Sequence, residues 1–287
     1  MDIYTSNAFT YEDAVLAFPT PFLHTPAVGS YPDGTKVGSD GPLWTRFASS
    51  RDPTAGLEYV GGDDRSPWIA RGAGTYDNVS KTFHGAWDAG MAMAFQGMAR
   101  GKRSRNDEAT VGRCVRAALP ARATALTREA WTDACGEWDE LQQYYFGTQA
   151  THHTQTRHFG NSSSGVGRVT IRRDGFASHR AAATPGVVVT EPFVLPSCDG
   201  GADAVLLVNV EVAARGSVRI GLADAADESD VPRFGVNQSD AIGVGSFVRG
   251  VVSWRGSSAL TELSGRAVTM ALELRHADLY AWEWRCV

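Results

Sequence analysis

The sequence predicts an all-β fold, on three observations. Short apolar runs in the first hundred residues are broken repeatedly by turn-forming Gly, Pro and Asp. Near the C-terminus Val268, Met270, Leu272 and Leu274 alternate with Thr269, Glu273 and Arg275, the period-two pattern of a strand with one wet face. Five strand candidates follow Pro185 at the roughly 10–15 residue spacing of an antiparallel sandwich or jelly roll.

Taken in order, Ala14–Phe18 and Leu43–Ala48 are strand-like runs. They are separated by Pro32–Gly34 and Ser39–Gly41 and followed by Arg51–Pro53 and Gly61–Asp64. Such punctuation suits an antiparallel region, and no long helical periodicity interrupts it. Residues 101–136 differ: Lys102, Arg103, Arg105, Arg113, Arg116, Arg122 and Arg128 outnumber Asp107, Glu108, Glu129 and Asp133, and alanine is frequent. This segment reads as a basic insertion, a marginal helix or a loop. Trp138–Phe146 returns to strand character, Thr148–Gly167 reads as a long polar loop, and Arg168–Ile171 leads into a turn at Arg172–Phe176.

The five C-terminal candidates are Ala204–Val212, Ser217–Leu222, Phe247–Trp254, Ala267–Arg275 and Leu279–Arg285. Ala214–Gly216, Arg255–Ser258 and His276–Asp278 are the expected turns. Tyr280, Trp282 and Trp284 fall on one face of the last strand by simple parity, a core face or, if exposed, a sugar-stacking platform.

Composition narrows function. Apolar residues make up 43% and net charge is −5, so the core is well supplied and the charge argues against a nucleic-acid binder, which needs a basic face. No apolar run approaches the roughly 18 residues of a membrane span, and the first residues lack a signal peptide's basic and apolar regions. Cys114, Cys135, Cys198 and Cys286 show no metal-ligand spacing, and no metal or cofactor is expected. Cys114 and Cys135 share a segment, but their pairing stays open. Asn78, Asn161 and Asn237 head N-x-S/T sequons, compatible with secretion. There is no G-x-S-x-G elbow, and Gly160–Gly167 lacks the Lys and following helix of a phosphate loop.

A set of pieces in the second half carries a family resemblance. They are Arg173-Asp-Gly-Phe-Ala-Ser178, Pro185-Gly186, Thr190-Glu-Pro-Phe193, Leu206-Leu-Val-Asn209, Gly216-Ser-Val-Arg219, Val252-Ser-Trp-Arg-Gly256, Leu263-Ser-Gly-Arg266 and Leu274–Ala281. In order and spacing they resemble the C-terminal β-sandwich of invertase- and levanase-related proteins, the glycoside hydrolase family 32-like group. That sandwich follows a five-bladed β-propeller. More loosely, Tyr4-Thr-x-Asn7, Tyr11-Glu12 and Phe18-Pro19 resemble one blade. Trp44–Asp52, Gly74–Asp77, Trp87–Gly90 and Trp138–Gly147 resemble the next. The resemblance implies a partial β-propeller of about two blades over 1–180, carrying the basic insertion at 101–136, then an antiparallel β-sandwich over 181–287. A whole propeller of this kind needs roughly 300 residues, well above a usual domain. The chain is therefore expected to lack the earlier blades, the nucleophile among them, and to be truncated or a fragment of a longer gene, whose product secretion would suit.

Glycosidases of this kind use paired carboxylates, one attacking or activating water and one protonating the leaving oxygen. Asp52 is a catalytic candidate because Arg51-Asp52-Pro53 resembles the family's stabilising triplet. The competing reading is a blade-hairpin turn formed by Ser50, Asp52 and Tyr59. Glu12 beside Tyr11 is a second candidate carboxylate with a stacking ring, against an ordinary strand-edge pair with Asp13. Asp88 beside Trp87, with His84 four residues upstream, is a third, against a β-bulge turn. His152, His153 and His158 cluster in sequence; the first two are candidate sugar contacts at a channel mouth, against a solvated loop. The resulting expectation is a carbohydrate-active protein whose partner is an oligo- or polysaccharide. The alternatives are a non-catalytic carbohydrate-binding or adhesion module on the same fold, and a fragment that folds only at its sandwich.

Overall fold

The computed structural model describes residues 2–24, 41–52, 54–60, 66–77, 82–94, 98–101, 140–152, 164–199 and 202–287. The basic insertion, Cys114 and Cys135, His153 and His158, and Asn78 and Asn161 lie outside the described residues. The fold is all-β, and its sheets include one curled into a half-barrel. The chain forms two compact units. One comprises Met1–Arg100 with Leu141–Thr170, the other Ile171–Val287 with Gly101–Glu140.

The first unit is built on β1 (Asp2–Tyr11), β2 (Ala14–Phe22), β3 (Leu43–Trp44), β4 (Ala48–Ser50), β5 (Glu58–Tyr59), β6 (Gly74–Asp77), β7 (Thr82–Gly85), β8 (Met91–Ala94), β9 (Ala99–Gly101), β10 (Glu140–Thr148) and β11 (Ser164–Arg172). The main sheet runs β11-β10-β8-β3-β2-β4-β5, with β1 on β2 and β9 on β10; β6 and β7 pair separately. β1 and β2 form a hairpin in which Tyr11 pairs with Ala14. Its two-residue turn starts at Glu12, whose φ is 50°, a backbone that tight hairpin turns require. Pro19 and Pro21 fall where β2 changes partner, between β4 at Val15–Ala17 and β3 at Phe22. There a missing N–H breaks no ladder bond to either of those strands. Phe18 and Phe22 are buried with Leu43, Phe47, Met91 and Leu141. The rings of Phe18, Phe47 and Trp68 lie 5.1–5.7 Å apart. Buried Gln143 accepts the Trp68 indole N–H at 2.9 Å, so this interior polar group is satisfied.

Two expectations change here. The strand-like run at 43–48 is two short strands, because Thr45 leaves the ladder. Its hydroxyl donates to Ala92 O at 3.2 Å and accepts from Ala94 N at 2.8 Å. The polar stretch expected to loop as far as Gly167 is already strand from Ser164. Its glycines signal close approach of rings, described below, and not a turn.

The second unit contains β12 (His179–Ala181), β13 (Gly186–Val189), β14 (Phe193–Val194), β15 (Ala204–Asp224), β16 (Gly245–Val251) and β17 (Ala267–Cys286). β15 and β17 pair antiparallel along nearly their whole length. β16 flanks β15, and β12, β13 and β14 follow one another along the outer edge of β17. One core takes Leu206, Val208 and Val210 from one end of β15, and Val218, Ile220 and Leu222 from the other. Val268, Met270, Leu272 and Leu274 join it from β17. Each such side chain stabilises by about 1.5–3 kcal/mol when fully buried. Trp254 is buried and donates its indole N–H to Ile220 O at 2.8 Å.

The sequence reading split β15 and β17 at Ala214–Gly216 and His276–Asp278; the structure keeps each as a single strand. Register shifts between Val212 and Ser217, where Arg215 has φ 66° and His276 φ 43°. These are bulges: the ladder resumes beyond them, but the inward parity changes. Buried positions therefore pass from Leu274 to Ala277 and Leu279. A second shift lies between the pairs Asn209↔Ala281 and Val210↔Leu279 and leaves Tyr280 as the extra residue. Trp282 and Trp284 pair with core residues Val208 and Leu206 and gather round Phe193 at 5.3 and 5.8 Å. Tyr280 instead lies beneath Arg172. The expected aromatic trio on one face is thus broken by one inserted residue. A disulfide joins Cys198 to Cys286.

Candidate functional site

The segment between β7 and β8 folds back over the sheet. Gly85 starts it with φ 139°, and a Cβ there would lie 2.5 Å from Ala73 O, so only glycine fits. Ala86 N donates to Ala73 O at 2.9 Å and Gly90 N to Thr148 O at 2.9 Å. Pinned at both ends, the loop carries Trp87 and Asp88 down onto β10 and β11.

Glycines make the landing surface. A Cβ on Gly147 would meet Asp88 Cβ and Trp87 Cζ3 at 2.5 Å; one on Gly165 would meet Trp87 Cζ3 at 3.4 Å. Gly167 does the same under Tyr145, at 2.3 Å. Trp87 and Tyr145 stack on this floor, centroids 5.7 Å apart and planes 26° apart. Asp88 is buried, and Tyr145 Oη donates to its Oδ2 at 2.8 Å. Arg71 donates to Ala89 O at 2.8 Å; burial lowers its pKa. Trp87 and Tyr145 are both half-buried.

Burial, then the hydrogen bond to Asp88 and its charge, push the Tyr145 phenol from its ordinary 10 up to about 12. Its folded pKa is raised, so the stability this contributes is full below pH 10 and is lost as pH rises through about 12. Asp88→Asn is expected to bring the ionisation down. A 295 nm absorbance titration, taken as the difference from Tyr145→Phe, checks it; an unchanged midpoint would show that Asp88 has no part in the shift.

The other predicted residues divide between the two ends of the strands. Val15 pairs with Ser50, whereas Phe22 pairs with Leu43 and Leu43 with Met91. Glu12, Tyr11 and Asp52 are therefore near one end of β2, and the loop bearing Asp88 belongs toward the other. At about 3.3 Å per residue the separation along the strands is on the order of 20 Å. Glu12 is exposed at the hairpin tip, and its neighbour Asp13 ion-pairs Arg51. Asp52 is exposed and closes a turn: its Oδ1 accepts Thr54 Oγ1 at 2.6 Å and Thr54 N at 2.9 Å. Those bonds hold its carboxyl below the ordinary value.

His84 is exposed on β7, paired with Thr75, and the carbonyl of the next residue, Gly85, accepts Gln149 Nε2 at 3.0 Å. His152 lies 2.8 Å from the Tyr4 hydroxyl through Nε2 and packs on Tyr4 and Phe22 at 4.8 and 5.1 Å. The structure thus unites Trp87 and Asp88, keeps His84 and His152 toward their end of the sheet, and separates all four from Glu12 and Asp52. Among the described residues, no three His, Cys, Asp or Glu side chains gather as a metal set. Likewise no helix among them is long and apolar enough to cross a membrane.

Sequence reasoning missed Tyr145, Gly147, Gly165 and Gly167. The spacing Gly165-x-Gly167 was the available signal, since residues two apart share one strand face. Tyr145-x-Gly147 places a ring and a gap in the same relation on the neighbouring strand. No protein-family model, no curated protein and no solved structure matches the chain.

Proposed function

We propose that the chain is a carbohydrate-binding protein of the family 32-like group that holds an oligo- or polysaccharide non-catalytically at Trp87 and Asp88. In this reading the first unit is part of a β-propeller and the second is the β-sandwich that accompanies it. One observation carries the reading: a half-buried indole laid against a glycine floor with a hydrogen-bonded carboxylate beside it. The apolar C–H face of a sugar ring packs on such an indole, and buried Asp88 holds Tyr145 in place beside it through the 2.8 Å hydrogen bond.

Residues behind the family resemblance support the second half of the proposal through their structural roles. Asn209 Nδ2 donates to Arg173 O at 2.6 Å, bracing the Arg-Asp-Gly turn. Arg266 pairs with Asp224 at 2.6 Å beside Gly265, whose φ is 74°.

Hydrolysis would need two carboxyl groups roughly 5–9.5 Å apart across one bond. Asp88 stands well apart from Glu12 and Asp52, and Asp52 is occupied by its own turn, so binding without cleavage fits better. Isothermal titration with levan, inulin and a β-glucan tests it. At least one should bind, and Trp87→Ala should weaken that binding tenfold or more, about 1.4 kcal/mol, with an unchanged circular dichroism spectrum. Reducing-sugar release that vanishes in Asp52→Asn or Glu12→Gln would overturn the non-catalytic reading. Equal affinity in Trp87→Ala would remove the site.

A further inference from the structure

The second unit takes in Ile171 and Arg172, the last two residues of β11, and holds a cleft of about 370 Å³ where these residues meet β15, β16 and β17. This volume lies within the ordinary range for small-molecule sites. Ile171 and Val248 are its apolar walls, and Tyr280, Glu211 and Ser246 supply polar atoms. Arg172 organises it. Gly175 N closes a turn on Arg172 O at 3.0 Å, and a Cβ on Gly175 would strike Arg172 Cγ at 2.4 Å, so glycine lets the stem lie down. The guanidinium then sits 4.3 Å over the Tyr280 ring. It donates to Phe247 O at 3.1 Å, Val210 O and Ser246 Oγ at 3.3 Å, and Glu211 Oε2 at 3.5 Å.

The charge balance of the cleft follows. Arg172 is only 14% exposed, and its Nη1 and Nη2 groups donate to protein oxygens, whereas the Glu211 side chain is 57% exposed. Glu211 receives Arg172 and Tyr280 Oη only at 3.5 and 3.4 Å, beyond the ordinary length of a charge-assisted bond. Its carboxylate therefore retains acceptor capacity. Ser246 accepts from Arg172 and keeps its own O–H to donate. An anionic ligand would meet the exposed carboxylate and find the cation already committed. A neutral ligand rich in hydroxyls matches: donors for Glu211, an acceptor for Ser246, and C–H edges against Ile171 and Val248. The bulge at Tyr280 is what creates the cleft, because it removes that ring from the stripe of Trp282 and Trp284 and turns it to Arg172.

We infer that this cleft is a second, independent binding site for a neutral sugar ring, which makes the chain bivalent toward glycan. The inference extends the carbohydrate reading to the second unit but does not need the Trp87 site to work. The probes are neutral tri- to pentasaccharides of fructose and of glucose, with a galacturonate oligomer as the anionic comparison. They are titrated into the full chain and into its Trp87→Ala form.

The expected result is one binding event remaining in Trp87→Ala. Glu211→Gln should weaken it about tenfold, and Val248→Trp, which fills the cleft, should abolish it. Backbone amide shifts around Ser246 and Tyr280 should move with neutral sugar in the parent chain. If Trp87→Ala leaves all binding intact while Glu211→Gln and Val248→Trp remove it, the first site fails and this one stands. The inference is overturned if no binding remains in Trp87→Ala, if the remaining binding ignores both cleft variants, or if the galacturonate oligomer binds more tightly than the neutral sugars.

Discussion

Reduction of the Cys198–Cys286 bond is expected to lower the unfolding midpoint of the second unit by roughly 10–15 °C, from a loss of about 3–4.5 kcal/mol. The bond spans 88 residues of sequence, and cross-linking so long a loop removes much entropy from the unfolded chain. The folded side changes less. Ala204 still pairs with Cys286, and Asp203 and Val287 exchange backbone bonds at 2.9 and 3.0 Å. The effect therefore acts mainly through the unfolded state. Scanning calorimetry of the full chain with and without reductant reads it, with Cys198→Ser as the genetic equivalent. The strands of the first unit's sheet belong to a different compact unit, so one transition should move and the other stay. A second-unit midpoint that ignores both reductant and Cys198→Ser would show that the ladder alone holds the C-terminal strand.

Gly147→Val should destabilise the first unit by about 2–4 kcal/mol and, on the proposed carbohydrate reading, abolish binding at Trp87. Local preference argues the opposite sign. Position 147 is in a strand, where valine is favoured over glycine by up to about 1 kcal/mol. Tertiary contact decides the matter: even the first added carbon would stand 2.5 Å from Asp88 Cβ and from the Trp87 ring, against a comfortable separation of about 3.5–4 Å. Neither neighbour can swing aside cheaply. Asp88 is tied to Tyr145, and the Trp87 ring stacks on Tyr145 and stands close to Gly165. Gly243→Ala is the control, since a Cβ there meets nothing within 4 Å; it should fall within about 0.5 kcal/mol of the parent. Chemical denaturation measures both variants. A neutral or stabilising Gly147→Val would mean that the loop does not rest on the sheet, and the proposed sugar platform would go with it.

Much of the strand content was legible because burial on one sheet face writes itself into every second residue. Val268 to Leu274 show this directly: all four alternate positions are at most 2% exposed. Parity was a poor guide past His276 and again past Leu279, since one extra residue reverses every inward position that follows. The turn signals at Ala214–Gly216 and His276–Asp278 were real as backbone irregularities, with positive φ at Arg215 and His276. Their outcome as bulges depended on a partner strand long enough to resume the ladder on both sides.

The candidate site divides in the same way. Trp87 beside Asp88 was visible as an aromatic next to a carboxylate, because neighbours in sequence are neighbours in space. Tyr145 was not, since 57 residues separate it from Asp88 and only the folding back of the Gly85–Gly90 loop brings them together. The pairing of Cys198 with Cys286, and the cleft under Arg172, likewise join distant segments. By itself the sequence determined the all-β character, the buried stripe of β17 and the acidic charge balance, all set by composition or by local periodicity. Tertiary structure alone decided which cysteines pair, which glycines carry rings and which carboxylates share a site. Those outcomes rest on contacts between segments that local preference does not connect.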